Sequence, residues 1–228
     1  MTEQIEKIGL ELGMGWLPDY PDFRDYTIDT QEVTSDRAKR AGQKETVKTM
    51  LGKIKITEPA KVVLPASIDL KTWCSPIEKQ GALGSCTANA GEGIMEYYER
   101  RAFGKHIDAS RLFLYKATRN LLHWTGDTGA FLRTTMGAMA IFGLPPEEYW
   151  PYIIANFEKE PSAFCYAFGQ AYQAIQYFRL DPPGTSKDLL LKQIKCLLAA
   201  GLPLMFGFTV FSSINEVGSD GKIPYPCN

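Results

Sequence analysis

Histidine is scarce in this chain: His106 and His123 are the only two among 228 residues. Neither belongs to an H-x-x-x-H or H-E-x-x-H arrangement, the spacings at which side chains on one helix face share a metal ion. A metal site would therefore have to be assembled from scattered carboxylates. The sequence predicts no metal site and no cofactor.

Paired cysteines are also missing, although the chain contains five cysteines. The count is odd and no C-x-x-C motif occurs, so neither a disulfide framework nor a zinc knuckle is indicated. No apolar run approaches the roughly 18–20 residues that cross a membrane. The N-terminus lacks the basic and then apolar layout of a secretory signal, and we therefore expect a cytoplasmic protein.

An excess of charge of one sign is absent as well. The 25 Lys and Arg residues nearly balance the 26 Asp and Glu residues, which gives a formal net charge of −1. No global field would attract nucleic acid or anionic lipid, and we expect neither nucleic acid nor a membrane as partner. With 45% apolar and 22% charged residues, the composition is typical of a folded globular protein.

The chain divides into an N-terminal part, residues 1–63, and a domain over residues 64–228. The N-terminal part contains LGMGWLPDYPDFRDYTI, starting at Leu12, whose prolines and aromatics predict an extended segment packed against a larger body. A polar stretch rich in Lys, Thr and Glu follows and is typical of a linker or an exposed helix. The segment VVLPASIDL, starting at Val62, predicts the first strand of the domain.

Four helices are predicted in that domain from apolar periodicity and from the residues that start and stop it. The first begins after Ser85, a residue type favoured at helix N-caps, and ends at Gly104. The other three cover residues 109–122, 131–142 and 189–201. The segment PLMFGFTVF, which follows the last helix, has strand composition. Helices first and strands later indicate an α+β fold with two unlike halves.

Cys86 stands in the first turn of the first predicted helix, where the positive end of the helix dipole favours a thiolate. The Gly-Ser run before it lets a substrate backbone approach closely. Gln80 lies six residues upstream, within reach of the same point. Acyl transfer requires amide donors that point at a developing oxyanion, and the Gln80 amide and the Cys86 N–H fit that role. A buried, inert cysteine is the alternative interpretation.

The segment PIEKQGALGSCTANA resembles the active-site region of the papain-like cysteine peptidases, whose signature is Q-G-x-C-G-S-C-W. Gln80 matches the glutamine of the oxyanion hole, and Cys86 matches the nucleophile. Three further segments resemble family elements in the same order: LPASIDLKTWCSP, GDTGAFLRTTMGAMAIFGLPPEEYWPY and AGLPLMFGFTVFSSI. The resemblance, which begins near Val62, implies a two-lobe α+β fold whose helical lobe is complete and whose β-rich lobe is incomplete in this chain.

The resemblance implies a cysteine endopeptidase that forms an acyl-enzyme with a peptide or protein substrate. Gly129 and Ala130 would offer backbone groups to an extended substrate. Phe131 and Leu132 would line an apolar pocket for the second residue before the scissile bond, although ordinary core packing at a helix start is the alternative. Residues 1–63 would be a propeptide held across the cleft, or a simple N-terminal addition to the fold.

The chain departs from the family pattern at several positions. Leu83 replaces the first cysteine of the signature, and Asp127 stands where its disulfide partner is expected; both losses agree with a reducing compartment. Thr87 replaces the usual tryptophan. The catalytic histidine of the family should follow a segment like GKIPYPCN, and neither His106 nor His123 matches its position.

The missing histidine leaves three interpretations open. The chain is one product of a cut zymogen-like protein whose C-terminal chain supplies the histidine, or it is a truncated piece, or it is a catalytically inactive scaffold that binds peptide. The first two predict that residues 1–228 alone are poorly soluble or carry a partner chain. Acyl transfer to an amine instead of water uses the same residues and also stays open.

Overall fold

The computed structural model describes residues 13–22, 25–28, 47–56, 58–174 and 176–226. Helices in these residues are α1 (Val47–Lys53), α2 (Cys86–Phe103), α3 (Arg111–Leu122), α4 (Leu132–Ile141), α5 (Ala163–Gly169) and α6 (Lys187–Ala199). The strands β1 (Trp16–Leu17) and β2 (Ala130–Phe131) form a two-stranded parallel pair. Short 3-10 turns lie at Pro59–Lys61, Lys71–Trp73, Glu147–Tyr149, Ile154–Asn156 and Ser212–Glu216. None of the described helices combines the length and apolar character that a membrane crossing requires.

Helix α3 is the centre of the core, because its side chains are buried continuously from Arg111 to Arg119. Ser110 caps it: the hydroxyl accepts a hydrogen bond from the Phe113 backbone N–H. Helices α2 and α4 pack on either side of it. The buried apolar cluster consists of Leu83, Ala88, Ala109, Leu112, Phe113, Leu114, Tyr115, Ala117, Ala138, Met139, Leu144 and Cys165. A helix can be buried on all sides when its apolar residues point in every direction and its polar residues have partners, as Lys116, Thr118 and Arg119 do here.

The four predicted helices are confirmed as α2, α3, α4 and α6, with ends that differ by a few residues. Helix α2 begins at Cys86, and Gly104 ends it in the left-handed conformation with φ of 73°. Ser85 precedes α2 as predicted, but its side chain does not cap the helix. Its hydroxyl instead lies 2.6 Å from the hydroxyl of Tyr152. Helix α5 is not among the predicted helices, because its seven residues are too few to show a helical stripe.

Both strands predicted outside the helices are wrong. Residues 62–70 form neither helix nor strand. Val63 is 96% exposed, and Pro65 has no N–H to donate to a neighbouring strand. Residues 203–211 form no strand either: the Ile214 N–H donates to the Phe211 carbonyl in a local turn, and no described strand pairs with the segment. The described residues therefore build the helical half of the α+β fold, and they do not build the β-rich half.

The N-terminal segment is extended and packed against the domain, as predicted for the part that is described. We call residues 13–22 and 25–28 the N-terminal strap. Its strand β1 pairs with β2, and Arg133 of α4 pairs with Asp19 and Asp25 of the strap. The strap therefore runs along the start of α4. The predictions made for residues 29–46 lie outside the described residues.

Candidate active site

Cys86 is the first residue of α2 and is half-buried, so its thiol lies at the positive end of the helix dipole. The loop before it is tight, because the Ser85 N–H donates to the Leu83 carbonyl at 2.8 Å. Thr87, which replaces the tryptophan of the family signature, is buried and accepts a hydrogen bond at 3.0 Å from the Thr135 hydroxyl of α4. The residue after the thiol thus fixes α2 to α4.

The Gln80 side-chain amide donates two hydrogen bonds, to the Gly13 carbonyl at 2.8 Å and to the Leu83 carbonyl at 2.6 Å. One acceptor belongs to the strap and the other to the loop that leads to Cys86. The Gln80 amide is therefore hydrogen-bonded to a carbonyl of the extended strap, beside the loop that leads to Cys86. No hydrogen bond joins the Gln80 side chain to Cys86 itself within the described residues.

The strap lies in a narrow gap between the loop of residues 81–85 and strand β2, which we call the slot. Gly15 is the residue in its centre. A Cβ atom on Gly15 would collide with the Gly84 carbonyl, and one on Gly129 would collide with the Gly15 carbonyl. Backbones can approach this closely only because all three residues lack a side chain. The slot is therefore shaped for an extended peptide backbone.

Gly129 and Ala130 both contact Gly15 in the slot, and their contact with a substrate backbone stays a prediction. The Ala130 N–H donates to the Gly15 carbonyl at 2.7 Å. The Gly129 N–H is directed elsewhere, because it donates to the Tyr115 hydroxyl at 3.1 Å. Of the two, Ala130 is the residue whose N–H the strap backbone uses.

Phe131 and Leu132 follow at the end of the slot. Phe131 is in register with Leu17 of the strap, and its ring centroid lies 5.5 Å from that of Trp124. Leu132 is the first residue of α4, and both side chains are half-buried. The apolar specificity pocket that the resemblance assigns to them stays a prediction.

Trp16 joins the strap to the C-terminal part of the chain. Its backbone is in register with Ala130, while its indole ring lies so close to Gly207 that a Cβ atom there would overlap the ring. The strap therefore contacts the helical lobe and the segment of residues 202–211 at the same residue.

Asp127, which stands where a disulfide cysteine is expected, makes hydrogen bonds instead. The Gly84 N–H donates to its two carboxylate oxygens at 2.9 and 3.0 Å, and the Tyr115 hydroxyl donates to Oδ1 at 2.5 Å. Burial and then the bond to Asp127 raise the pKa of Tyr115, so the phenol keeps its proton. The sequence analysis does not find Tyr115, since a tyrosine inside a buried helix carries no signal of its own.

Both histidines contact groups other than the Cys86 thiol. His106 Nε2 lies 3.5 Å from a carboxylate oxygen of Glu96, a residue ten positions after Cys86 on α2 and so about 15 Å along the helix axis. His123 is exposed and ends α3 with φ of 57°. Within the described residues, no hydrogen bond or ion pair joins an imidazole to Cys86.

One group of carboxylates has the spacing of a cation site: oxygens of Glu78, Asp108 and Glu147 lie within 4.8 Å of one another. Arg111 lies among them, with its guanidinium 2.6 Å from Glu78 and 3.2 Å from Glu147. Burial, despite the charge of Arg111, raises the pKa of Glu78. The arginine supplies the compensating positive charge, and the group is an ion-pair network.

The comparisons with known proteins agree with this geometry, although no family model matches the chain. A peptidase C1-like protein of Acanthamoeba polyphaga mimivirus, itself uncharacterised, is 31% identical over 222 residues, which cover 93% of this chain and 67% of the relative. Xylellain, a cysteine protease from Xylella fastidiosa, superposes with a TM-score of 0.57 at 25% identity, over 84% of this chain and 65% of xylellain. The chain thus spans about two thirds of the length of either protein.

The chain belongs to the papain-like (C1) cysteine peptidase family. Its fold is papain-like, with the helical part present and few strands. The family that the QGALGSC motif indicates is therefore confirmed by sequence and by structure.

Proposed function

We propose that this protein is the nucleophile-bearing part of a cysteine endopeptidase. Cys86 attacks the carbonyl carbon of a substrate peptide, and the Gln80 amide and the Cys86 N–H stabilise the oxyanion that forms. The observation that carries the proposal is the 2.8 Å hydrogen bond from the Gln80 amide to the Gly13 carbonyl. It supports a site that binds extended peptide beside the loop leading to the thiol.

The reaction passes through a thioester. The Cys86 sulfur bonds to the substrate carbonyl, the peptide C–N bond breaks, and the leaving amine takes a proton from an imidazolium; water then hydrolyses the thioester. Because His106 and His123 have other surroundings, we propose that the imidazole comes from other polypeptide. A C-terminal chain, either continuous with this one or bound to it, is the proposed partner.

We propose further that the strap is a propeptide-like inhibitor of the same site. Gly15 occupies the slot, and Gly13 engages the amide that a substrate carbonyl would need. A substrate can bind there only after the strap leaves. The substrate class that follows is an extended peptide, with Phe131 and Leu132 as the proposed contacts for an apolar residue.

The test is peptide cleavage by the complete gene product. We expect Cys86→Ala to abolish turnover, and Gln80→Ala to lower kcat by about a hundredfold or more through loss of an oxyanion donor. Gly15→Ala should raise activity, since the added methyl group displaces the strap. Cys74→Ala is the matched control, because Cys74 is exposed and lies outside the slot.

Turnover that survives Cys86→Ala would overturn the proposal. The competing candidate is a catalytically inactive peptide-binding scaffold, which is favoured because no imidazole contacts Cys86 among the described residues. Saturable binding of peptide to the Gly15→Ala variant without any cleavage, in the complete gene product, would establish that candidate.

A further inference from the structure

We propose that Asp127 and Tyr115 form a hydrogen-bonded tie that sets the width of the slot and positions the loop ahead of Cys86. Both are positioning residues, since neither is placed to touch the scissile bond. The inference rests on the proposed function only in taking the slot between Gly84 and Gly129 as the peptide site.

The tie links the two sides of the slot in one chain of contacts. The Gly84 N–H donates to the Asp127 carboxylate, the Tyr115 hydroxyl donates to the same carboxylate, and the Gly129 N–H donates to the Tyr115 oxygen. A hydroxyl has one proton to give, and here that proton goes to Asp127 while the oxygen accepts from Gly129. The position of each side is therefore defined relative to the other.

The tie is anchored in the core. Tyr115 has no solvent exposure in α3, and the guanidinium of Arg119, one turn later, lies 4.4 Å from its ring centroid. Arg119 also donates to the Gly126 carbonyl at 2.6 Å, next to Asp127. Both sides of the slot are therefore attached to α3, which is buried from Arg111 to Arg119.

The slot has no spare room, so a small change in its width would change how a peptide backbone fits into it. The backbone of Gly15 passes between Gly84 and Gly129, and at either contact even one added methyl group would overlap a carbonyl oxygen. A shift of a few tenths of an ångström in either side would alter the fit of any peptide backbone. The two residues that fix this separation therefore control peptide binding and the placement of the loop that ends at Cys86.

A carboxylate suits this role better than a neutral group. Asp127 accepts from the Gly84 N–H and from the Tyr115 hydroxyl, and hydrogen bonds to an ionised acceptor are about twice as strong as neutral ones. Its loss would leave both donors without their partner. Asparagine keeps one acceptor oxygen, so the Asp127→Asn variant should fall between wild type and Asp127→Ala.

The test measures release of the strap in the purified complete gene product, without any peptidase assay. The two readouts are alkylation of Cys86 by iodoacetamide, located by peptide mapping, and cleavage by added chymotrypsin at the Trp16–Leu17 bond of β1 or at the Tyr26–Thr27 bond, both of which lie in segments paired with the rest of the chain. We expect Asp127→Ala to accelerate both by roughly tenfold, Tyr115→Phe to act similarly, and the double variant to add little, because one tie is being broken. Asp220→Ala, an exposed carboxylate paired with Lys222, is the matched control.

A disulfide that replaces the tie can distinguish a positioning role of Asp127 from a general effect on stability. In the Leu83→Cys, Asp127→Cys double variant, a disulfide should slow strap release to the wild-type rate, and reduction should restore the fast rate of Asp127→Ala. Oxidised and reduced forms share one sequence, so the loss of the Leu83 side chain cannot explain a difference between them. Hydrogen exchange of α3 should be the same in both forms.

Unchanged strap release in Asp127→Ala would overturn the inference, and so would equal rates in the oxidised and reduced double variant. Failure of the two cysteines to cross-link would count against it too, because they would then not face each other. A complete gene product that binds peptide without cleaving it would remove the proposed peptidase activity and leave the tie intact.

Discussion

The helical lobe, which includes α2 to α5, buries its central apolar residues. The chain beyond α6 leaves several of its large apolar residues exposed. In the lobe, α3 is buried from Arg111 to Arg119. Beyond α6, Phe206 is 74% exposed, Phe208 is 54% exposed and Tyr225 is 90% exposed. A helix completes its backbone hydrogen bonds within itself and needs only packing, whereas a segment of strand composition needs a neighbouring strand before it can bury anything. The lobe is therefore self-sufficient, and the later segment depends on a neighbour.

The largest effect expected from this contrast comes from making one substitution in both regions. Phe113→Ala should destabilise residues 1–228 by about 3–5 kcal/mol, because a fully buried ring leaves a cavity. Phe208→Ala should change the free energy of unfolding by no more than about 0.5 kcal/mol. Urea denaturation of both variants measures the difference, and equal losses would show that the two regions are equally well packed.

An intermediate effect concerns Glu92, a buried carboxyl on α2. Burial, and then the hydrogen bond and charge of Glu96, raise the pKa of Glu92 to about 10. The folded state therefore keeps a proton that the unfolded chain releases above about pH 4.5, so stability falls as the pH rises from there toward 10. Glu92→Gln should remove this loss and raise Tm by a few degrees at pH 8–9.

The control for that experiment lies in the other region. Glu216 is exposed, and Glu216→Gln should leave the pH dependence of Tm unchanged. Thermal unfolding of both variants between pH 5 and pH 9 compares them. A Glu92→Gln variant that unfolds with the wild-type pH profile would contradict the assignment of a buried, protonated carboxyl.

The smallest effect should come from the ion pairs that hold the strap to the helical lobe and to the chain between α5 and α6. Asp25 pairs with Arg133 of α4 and with Arg179, which lies between α5 and α6. Burial alone would raise the pKa of Asp25, but the hydrogen bond from Arg133 and the charges of both arginines lower it below its ordinary value of 3.8. The hold is therefore complete above about pH 3.8 and is lost as the pH falls through the lowered pKa.

Asp25→Asn should accelerate chymotryptic cleavage of the strap only a few-fold at pH 7, because partly exposed ion pairs contribute about 0.2–1 kcal/mol. Asp181→Asn is the comparison, since Asp181 pairs with Arg179 on its exposed side. Cleavage at pH 7 that is unaffected by Asp25→Asn would show that these pairs do not hold the strap.

The sequence predicts the local features well. Helix α2 follows from its apolar stripe and from Gly104, and the motif order leads to Gln80 and Ala130, which both donate hydrogen bonds to the strap backbone. The packed strap follows from prolines and aromatics that a free tail would not need. Each of these depends on residues close together in the chain.

Features that depend on distant partners escape prediction. Whether residues 203–211 form a strand is decided by a neighbour and not by their composition. The Ser85 hydroxyl leaves its expected capping role because Tyr152, 67 positions later, competes for it. Tyr115 becomes important only because Asp127 and Gly129 meet at its hydroxyl, and Asp127 is noticeable in the sequence only as a missing cysteine.

The contact between Trp16 and Gly207 makes the fluorescence of Trp16 an intrinsic measure of whether the strap is bound. When the strap leaves, the indole passes from a packed contact into water, and its emission should move to longer wavelength. Occupancy of the slot by the strap can thus be followed in the unlabelled protein, in real time.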